Sequence, residues 1–317
     1  MVAKGIGTAV GLALGLLTGC GEHAVSAPEH QSGIVITDGR GASVRLERPA
    51  ENAVSLAPSC TEIVAEVAGL EPLLAVTRYC DDPPGAESLP KTEGFDSPSV
   101  EALLALDPDV VFASAITRPH TVERLRSAGL TVMVLAGEGL DGLANDLRIA
   151  ARALGVDATP AVQTFQSARN RVASALDGLA AGERPRLLVT FGALETFSAS
   201  EGTFTDALIR EAGAQNAAIG TPSQWPRLTL ETIVLRNPEV IVVTAEAVNG
   251  IEPVPPELLK RYRDHPVWSQ VAAVRSGRVW QVDSDTFTVP SPAVAELLVA
   301  LAQRLHPERF ESAGSDL

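Results

Sequence analysis

Apolar and polar positions along the chain follow two periods, and each switch between them marks an element. "IVITDGRGASVRLE" (34–47) alternates every second residue on both sides of a Gly-rich turn, which predicts a hairpin. "NAVSLAPS" (52–59) reads as a buried strand, "CTEIVAEVAGL" (60–70) as a short helix and "EPLLAVTRY" (71–79) as a second strand. After the "DDPPGAESLP" loop come "SVEALLALDPDVVFA" (99–113), the helix "TVERLRSAGL" (121–130) and the strand "TVMVLAG" (131–137). Strands alternating with helices predict a mostly parallel sheet covered on both faces.

The middle of the chain changes to a long helical period. "LDGLANDLRIAARALG" (140–155) leads into "TPAVQTFQSARNRVASALDGLAAG" (159–182). Thr159 suits a cap, Pro160 the first helical position, and Val162, Phe165, Val172, Leu176 and Leu179 share one face, with Gly182 near the end. Such a helix has about 22 residues and spans roughly 33 Å, enough to join two lobes. The strand–helix grammar then resumes in "PRLLVTFGALE" (185–195), "GTFTDALIREAG" (202–213), "TLETIVLRNPEVIVV" (229–243), "PVWSQVAAVRSGRVWQVD" (266–283) and "PAVAELLVALAQRL" (292–305). The expected fold is α/β: two similar lobes with mostly parallel sheets, residues 33–155 and 183–317, joined by one long helix at 156–182. Open α/β sheets bind ligands outside the carboxyl ends of their strands, so the expected site is a cleft between the lobes.

One pattern occurs twice. Residues 99–113 and 229–243 both run cap, apolar residue, Glu, short apolar helix, Pro and β-branched strand, so that Glu101 matches Glu231 and Pro108 matches Pro238. A Glu in a helix's first turn is favoured by the helix dipole and can stay exposed, and an Arg–carboxylate pair fixes the register of a docked partner.

Composition narrows the function. At 317 residues, 45% apolar and 20% charged, the chain is globular and long enough for two cores. A net charge of −14 argues against nucleic acid. His23, His30, His120, His265 and His306 are scattered, so no metal cluster or catalytic dyad is expected, and no G-x-S-x-G, H-E-x-x-H or phosphate-binding Gly loop is present. No enzyme and no cofactor is expected; hydrolysis through Cys60 is the best catalytic alternative, and a ligand sensor signalling through a membrane partner is another. Cys60 and Cys80 follow adjacent strands about 4.8 Å apart, which is compatible with a disulfide, two free thiols being the alternative.

The amino terminus reads as an export signal, with Lys4 ahead of an apolar run from Ile6 to Leu17. Its end, "LLTGC", resembles a bacterial lipobox, which implies a signal peptide over 1–19, a lipidated Cys20 and a tether over 20–32. The expected location is the cell envelope, lipid-anchored outside the cytoplasm.

Aromatic residues make up only 4% of the chain, yet Tyr79, Phe95, Phe197, Trp225 and Phe287 fall in polar loops that suit a ligand wall. "VSLAPSCTEIVAEVAGL", "VTRYCDDPP", "SVEALLALDPDVVFA", "SQWPRLTLETIVLRNPEVIVV" and "PVWSQVAAVRSGRVWQVD" together resemble class III solute-binding proteins of ABC importers, most of all their cobalamin-binding branch. The resemblance runs from about residue 33 to 311. It implies a corrinoid site lined by Tyr79 and Trp225, with Phe95 in place of a Trp and without an Arg after the Pro in "VPSPAV". It also implies docking of Glu101 and Glu231 on a permease–ATPase complex by an otherwise monomeric protein. A ferric-siderophore or haem binder of the same fold is the alternative. Arg78, Lys91, Arg118 and Arg227 are the cations a siderophore could use.

Overall fold

The computed structural model describes residues 33–311 apart from 95, 96, 247 and 249, so the expected signal peptide, Cys20 and Phe95 lie outside the described residues. A hairpin of β1 (Ile34–Thr37) and β2 (Ser43–Leu46) opens the described chain. The first sheet follows: β3 (Ala53–Ser55), α1 (Pro58–Ala68), β4 (Leu73–Thr77), β5 (Lys91–Thr92), α2 (Val100–Ala105), β6 (Val110–Ser114), α3 (Pro119–Ser127) and β7 (Val132–Leu135). Two helices then cross between sheets, α4 (Gly139–Leu154) and α5 (Thr159–Ala175).

The second half contains β8 (Arg186–Thr190), α6 (Phe204–Glu211), β9 (Gln215–Asn216), α7 (Leu230–Arg236), β10 (Val240–Ala245), β11 (Ile251–Pro253) and α8 (Pro256–Asp264). It closes with α9 (Ala272–Ser276), β12 (Val279–Asp283), α10 (Ser284–Thr288), α11 (Val294–Leu305) and α12 (Pro307–Glu311). Strand order is β5-β4-β3-β6-β7 in one sheet and β11-β12-β10-β8-β9 in the other. Every pairing is parallel except β11 with β12 in these two sheets. The expected α/β class with mostly parallel sheets is therefore present.

The continuous apolar runs of the strands have a direct cause. Successive side chains point to opposite faces, and both faces are covered. On β6, Val110 and Phe112 enter one apolar cluster while Val111 and Ala113 enter another. On β10, Val240 and Val242 part in the same way from Ile241 and Val243. The cluster holding Val110 and Val240 is common to both sheets, running through Leu147 of α4, Phe165 and Val172 of α5, Leu208 of α6 and Leu298 of α11. The opposite face of each sheet has a core of its own.

The joining helix is shorter than its sequence period suggests. α5 has 17 residues, about 26 Å at the α-helical rise. Thr159 is its first residue rather than its cap, and the Asp157 carboxylate accepts from the Thr159 amide at 2.9 Å and its hydroxyl at 2.6 Å. The chain leaves the helix at Leu176, and Gly178 takes φ +70°, a conformation that favours glycine. Leu176 and Leu179 still pack on the common core, which is why they hold the helical spacing past the helix's end.

Candidate functional site

α5 runs beside both sheets and is met in turn by elements at their ends. α4 begins just after β7, at the carboxyl end of the first sheet, and α6 leads into β9, at the amino end of the second. Arg169 of α5 reaches both: its Nη1 donates to Asp141 of α4 at 2.6 Å, and its Nε and Nη2 donate to Glu211 of α6 at 2.8 and 2.6 Å. A Cβ on Gly139, at the start of α4, would lie 3.5 Å from Ala207 of α6. The end of α5 meets the start of β9, since a Cβ on Gly213 would fall 2.8 Å from Leu176. α5 thus passes the carboxyl end of the first sheet before it reaches the amino end of the second.

Tyr79 stands at the carboxyl end of the first sheet, in the turn after β4, and is half exposed at 52%. Its ring lies against Gly94, where a Cβ would fall 2.9 Å from Tyr79 Cε2, and the Arg78 guanidinium stands 5.2 Å from the ring centroid. The turn is pinned from behind. The Cys80 amide donates to the Thr77 carbonyl at 3.0 Å, and Cys80 Sγ is 3.1 Å from Thr61 Oγ1 and 3.2 Å from Thr77 Oγ1. Lys91 Nζ donates to the Cys80 and Ala86 carbonyls at 2.7 and 2.9 Å.

Trp225 is 43% exposed, on a loop that runs beside residues 196–200, the segment that follows β8 of the second sheet. It packs on two phenylalanines, at centroid distances of 5.7 Å to Phe191 and 6.5 Å to Phe197, which are themselves 5.3 Å apart. Offset aromatic packing of this kind holds a ring in place while leaving one face open. Arg227 lies 5.9 Å from the Phe197 centroid and pairs with Glu195 at 3.3 Å.

Two expectations fail here. Phe287 is fully buried, within α10 and the common core, and its carbonyl accepts from Thr205 Oγ1 at 3.2 Å. It supports the second sheet and lines no surface. Cys60 and Cys80 are both free, buried thiols, not a disulfide. Burial, with the nearby Asp146 carboxylate and Cys80, pushes the Cys60 thiol far above its ordinary value, so it is inert as a nucleophile.

Other residues of the two edges have no strong sequence signal. Phe191 ends an apolar strand run and reads as core, but it joins the Trp225 cluster. Ile116, 60% exposed, follows β6 on the same edge as Tyr79. Beside it the buried Ser114 and Thr117 hydroxyls have no hydrogen-bond partner in the structure, leaving polar capacity behind an apolar tip. Among the described residues no cluster of His, Cys, Asp and Glu could hold a metal, and no helix is long and apolar enough to cross a membrane.

Glu101 and Glu231 occupy the same station in the two halves. Each is the second residue of a short helix that leads into an interior strand, β6 or β10, and each is exposed. Ser99 Oγ accepts from the Ala102 amide at 3.2 Å and Thr229 Oγ1 from the Thr232 amide at 3.1 Å, so the caps match. Glu231's own amide and the Thr229 hydroxyl hold its carboxyl below the usual range.

The chain is similar to known proteins over most of its length. A cobalamin-binding protein of Halobacterium salinarum is 30% identical over 274 residues, 85% of this chain and 73% of its own. The molybdate periplasmic binding protein MolA of Haemophilus influenzae superposes with a TM-score of 0.73 at 21% identity, over 88% of this chain and 93% of MolA. The periplasmic vitamin B12-binding protein BtuF of Vibrio cholerae superposes with a TM-score of 0.63 at 23% identity, over 81% of this chain and 98% of BtuF. The sequence model of a periplasmic binding protein matches residues 54–286, and with two mostly parallel sheets sharing a core through α5 the chain belongs to that family of ligand-binding proteins, not to the enzymes.

Proposed function

We propose that this chain is the substrate-binding lipoprotein of an importer, capturing cobalamin or a related corrinoid between its two lobes and delivering it to a permease. Proteins of the family act outside the cytoplasm with an ABC permease and carry no cofactor. The reading rests on one observation above the others: two partly exposed aromatics, Tyr79 and Trp225, stand in loops after strands of the two sheets. A corrinoid is broad, nearly neutral and ringed by amides, so it suits aromatic walls and scattered polar partners. A catecholate siderophore is anionic and wants convergent cations. Lys91 is committed to backbone carbonyls and Arg227 to Glu195, which weighs against that ligand. The 30% identity to a cobalamin-binding protein supports the same choice.

In this reading Cys20 carries the lipid, residues 20–32 are the tether, and the lobes comprise residues 33–155 and 183–317. Glu101 and Glu231 dock on the permease, one from each lobe. The test is calorimetric titration of the protein begun after Cys20 with cyanocobalamin and with cobinamide. One-to-one binding of both is expected, with Trp225→Ala and Tyr79→Ala each weakening it roughly tenfold or more. Heat with neither corrinoid, together with quenching of Trp225 by a ferric siderophore, replaces the corrinoid reading with the siderophore.

A further inference from the structure

Among the described residues, the non-glycine residues with positive φ are Asp107, Asn237 and Leu194. Asp and Asn tolerate the left-handed region through local hydrogen bonds, whereas a leucine at φ +60° is strained. Strain of this kind collects where a loop is shaped for a ligand. Leu194 lies in the loop after β8 that joins Phe191 to Phe197. The Phe191 amide donates to the Phe197 carbonyl at 3.1 Å, so the loop closes on the two rings that back Trp225. The Leu228 amide donates to the Thr196 carbonyl and the Ser198 amide to the Pro226 carbonyl, both at 2.9 Å, which ties the Trp225 segment to the same loop.

One side chain holds this turn from beneath. Tyr262 of α8 is fully buried in the core that belongs to the second sheet alone, edge-on to Trp268 at 5.3 Å between ring centroids. Its hydroxyl accepts from the Leu194 amide at 2.9 Å. The Thr190 hydroxyl, a further polar neighbour of the phenol, donates to the Gly192 carbonyl at 3.0 Å. We propose that Tyr262 is a positioning residue of the ligand site, its hydroxyl holding Leu194 in the left-handed turn that sets Phe191 and Phe197 behind Trp225. The inference deepens the reading of Trp225 as a ligand wall and rests on it. Packing fixes the tyrosine ring, so its hydroxyl is a fixed point, and the bond to that point offsets the strain at Leu194. Without the bond the Leu194 backbone relaxes toward negative φ, the ends of the loop shift, and Trp225 loses its seat.

The experiment pairs calorimetric titration with cyanocobalamin and hydrogen exchange by mass spectrometry, on wild type, Tyr262→Phe, Leu194→Gly and the double variant. Tyr262→Phe removes one oxygen and keeps the ring in the core. It is expected to weaken binding about fivefold and to raise exchange in residues 191–200 and 222–229, with β10 still protected. Val274→Ala, a truncation elsewhere in the same core, is the control for lost stability alone and is expected to keep wild-type affinity. Glycine takes positive φ without strain, so Tyr262→Phe is expected to weaken binding less than twofold in the Leu194→Gly background. Equal losses in both backgrounds, or an equal loss in Val274→Ala, overturn the inference by leaving the tyrosine a merely structural role. Unchanged exchange in the two segments, or raised exchange with wild-type affinity, overturns it and leaves the corrinoid reading standing. No heat from the wild-type protein removes the corrinoid reading, and exchange in the two segments then decides the inference by itself.

Discussion

Asp146 of α4 is 1% exposed, and its Oδ2 accepts from the Gly137 amide at 2.9 Å while Oδ1 has no partner in the structure. Burial raises its carboxyl from 3.8 to about 7 against the pull of that backbone bond. The unfolded chain therefore releases this proton at lower pH than the folded one, and its contribution to stability falls as pH rises from 3.8 to about 7. Relative to wild type, Asp146→Asn is expected to gain stability between pH 5 and pH 8, by at most about 3 kcal/mol, in paired urea titrations. A difference that stays constant with pH means the carboxyl is already ionised at pH 5. The thiols give a second test at this scale. Protein begun after Cys20 is expected to show no thiol reactive with Ellman's reagent when folded, and Cys60 and Cys80 both reactive in denaturant without reductant. No reactive thiol in denaturant would mean a bridge. Phe287 marks the limit of reading single residues: in "DTFTVP" it looks like a loop aromatic, because a helix of five residues is too short to show its period.

At the scale of elements, the sequence is most legible where one periodicity runs long enough to be averaged. The buried strands β6 and β10, the helices α4 and α11 and the opening hairpin are all readable, because each shows a sustained period or a turn between two alternating runs. The two capped helices α2 and α7 are readable for another reason: the cap is a local hydrogen bond that a single Ser or Thr can make. Ser99→Ala and Thr229→Ala are each expected to cost about 1 kcal/mol in urea denaturation. Equal stability of both variants with wild type would show the caps are not formed. The end of α5 was not readable. Leu176 and Leu179 stay on its apolar face while the backbone has already left the helix, because packing on the core constrains a side chain's position and not its secondary structure.

The molecule as a whole is held by more than one joining helix. The apolar cluster shared by the two sheets runs through α4, α5, α6 and α11, and Arg169 joins α4 to α6 from its place on α5. Its side chain is only 18% exposed, which favours its pairs over those at an open surface, although Asp141 is 90% exposed and contributes little. Arg169→Met is expected to cost roughly 1–3 kcal/mol of stability, most of it from leaving Glu211 without its bidentate partner. The same variant is expected to raise hydrogen exchange in α6 while leaving β6 protected. Unchanged exchange in α6 would show that apolar packing alone fixes the two halves.

The sequence by itself determined the α/β grammar and the repeated carboxylate, since each is written in a local pattern: a period or a cap. Only the tertiary structure decided which loop aromatics face outward, that Phe191 backs Trp225, that the two thiols stay apart, and that Lys91 is turned to carbonyls instead of solvent. Those outcomes depend on contacts between residues far apart in the chain, such as Thr61 with Cys80 and Phe191 with Trp225. Burial and partner are properties of the packed neighbourhood, and a local pattern of side chains carries no record of what the rest of the chain brings against it.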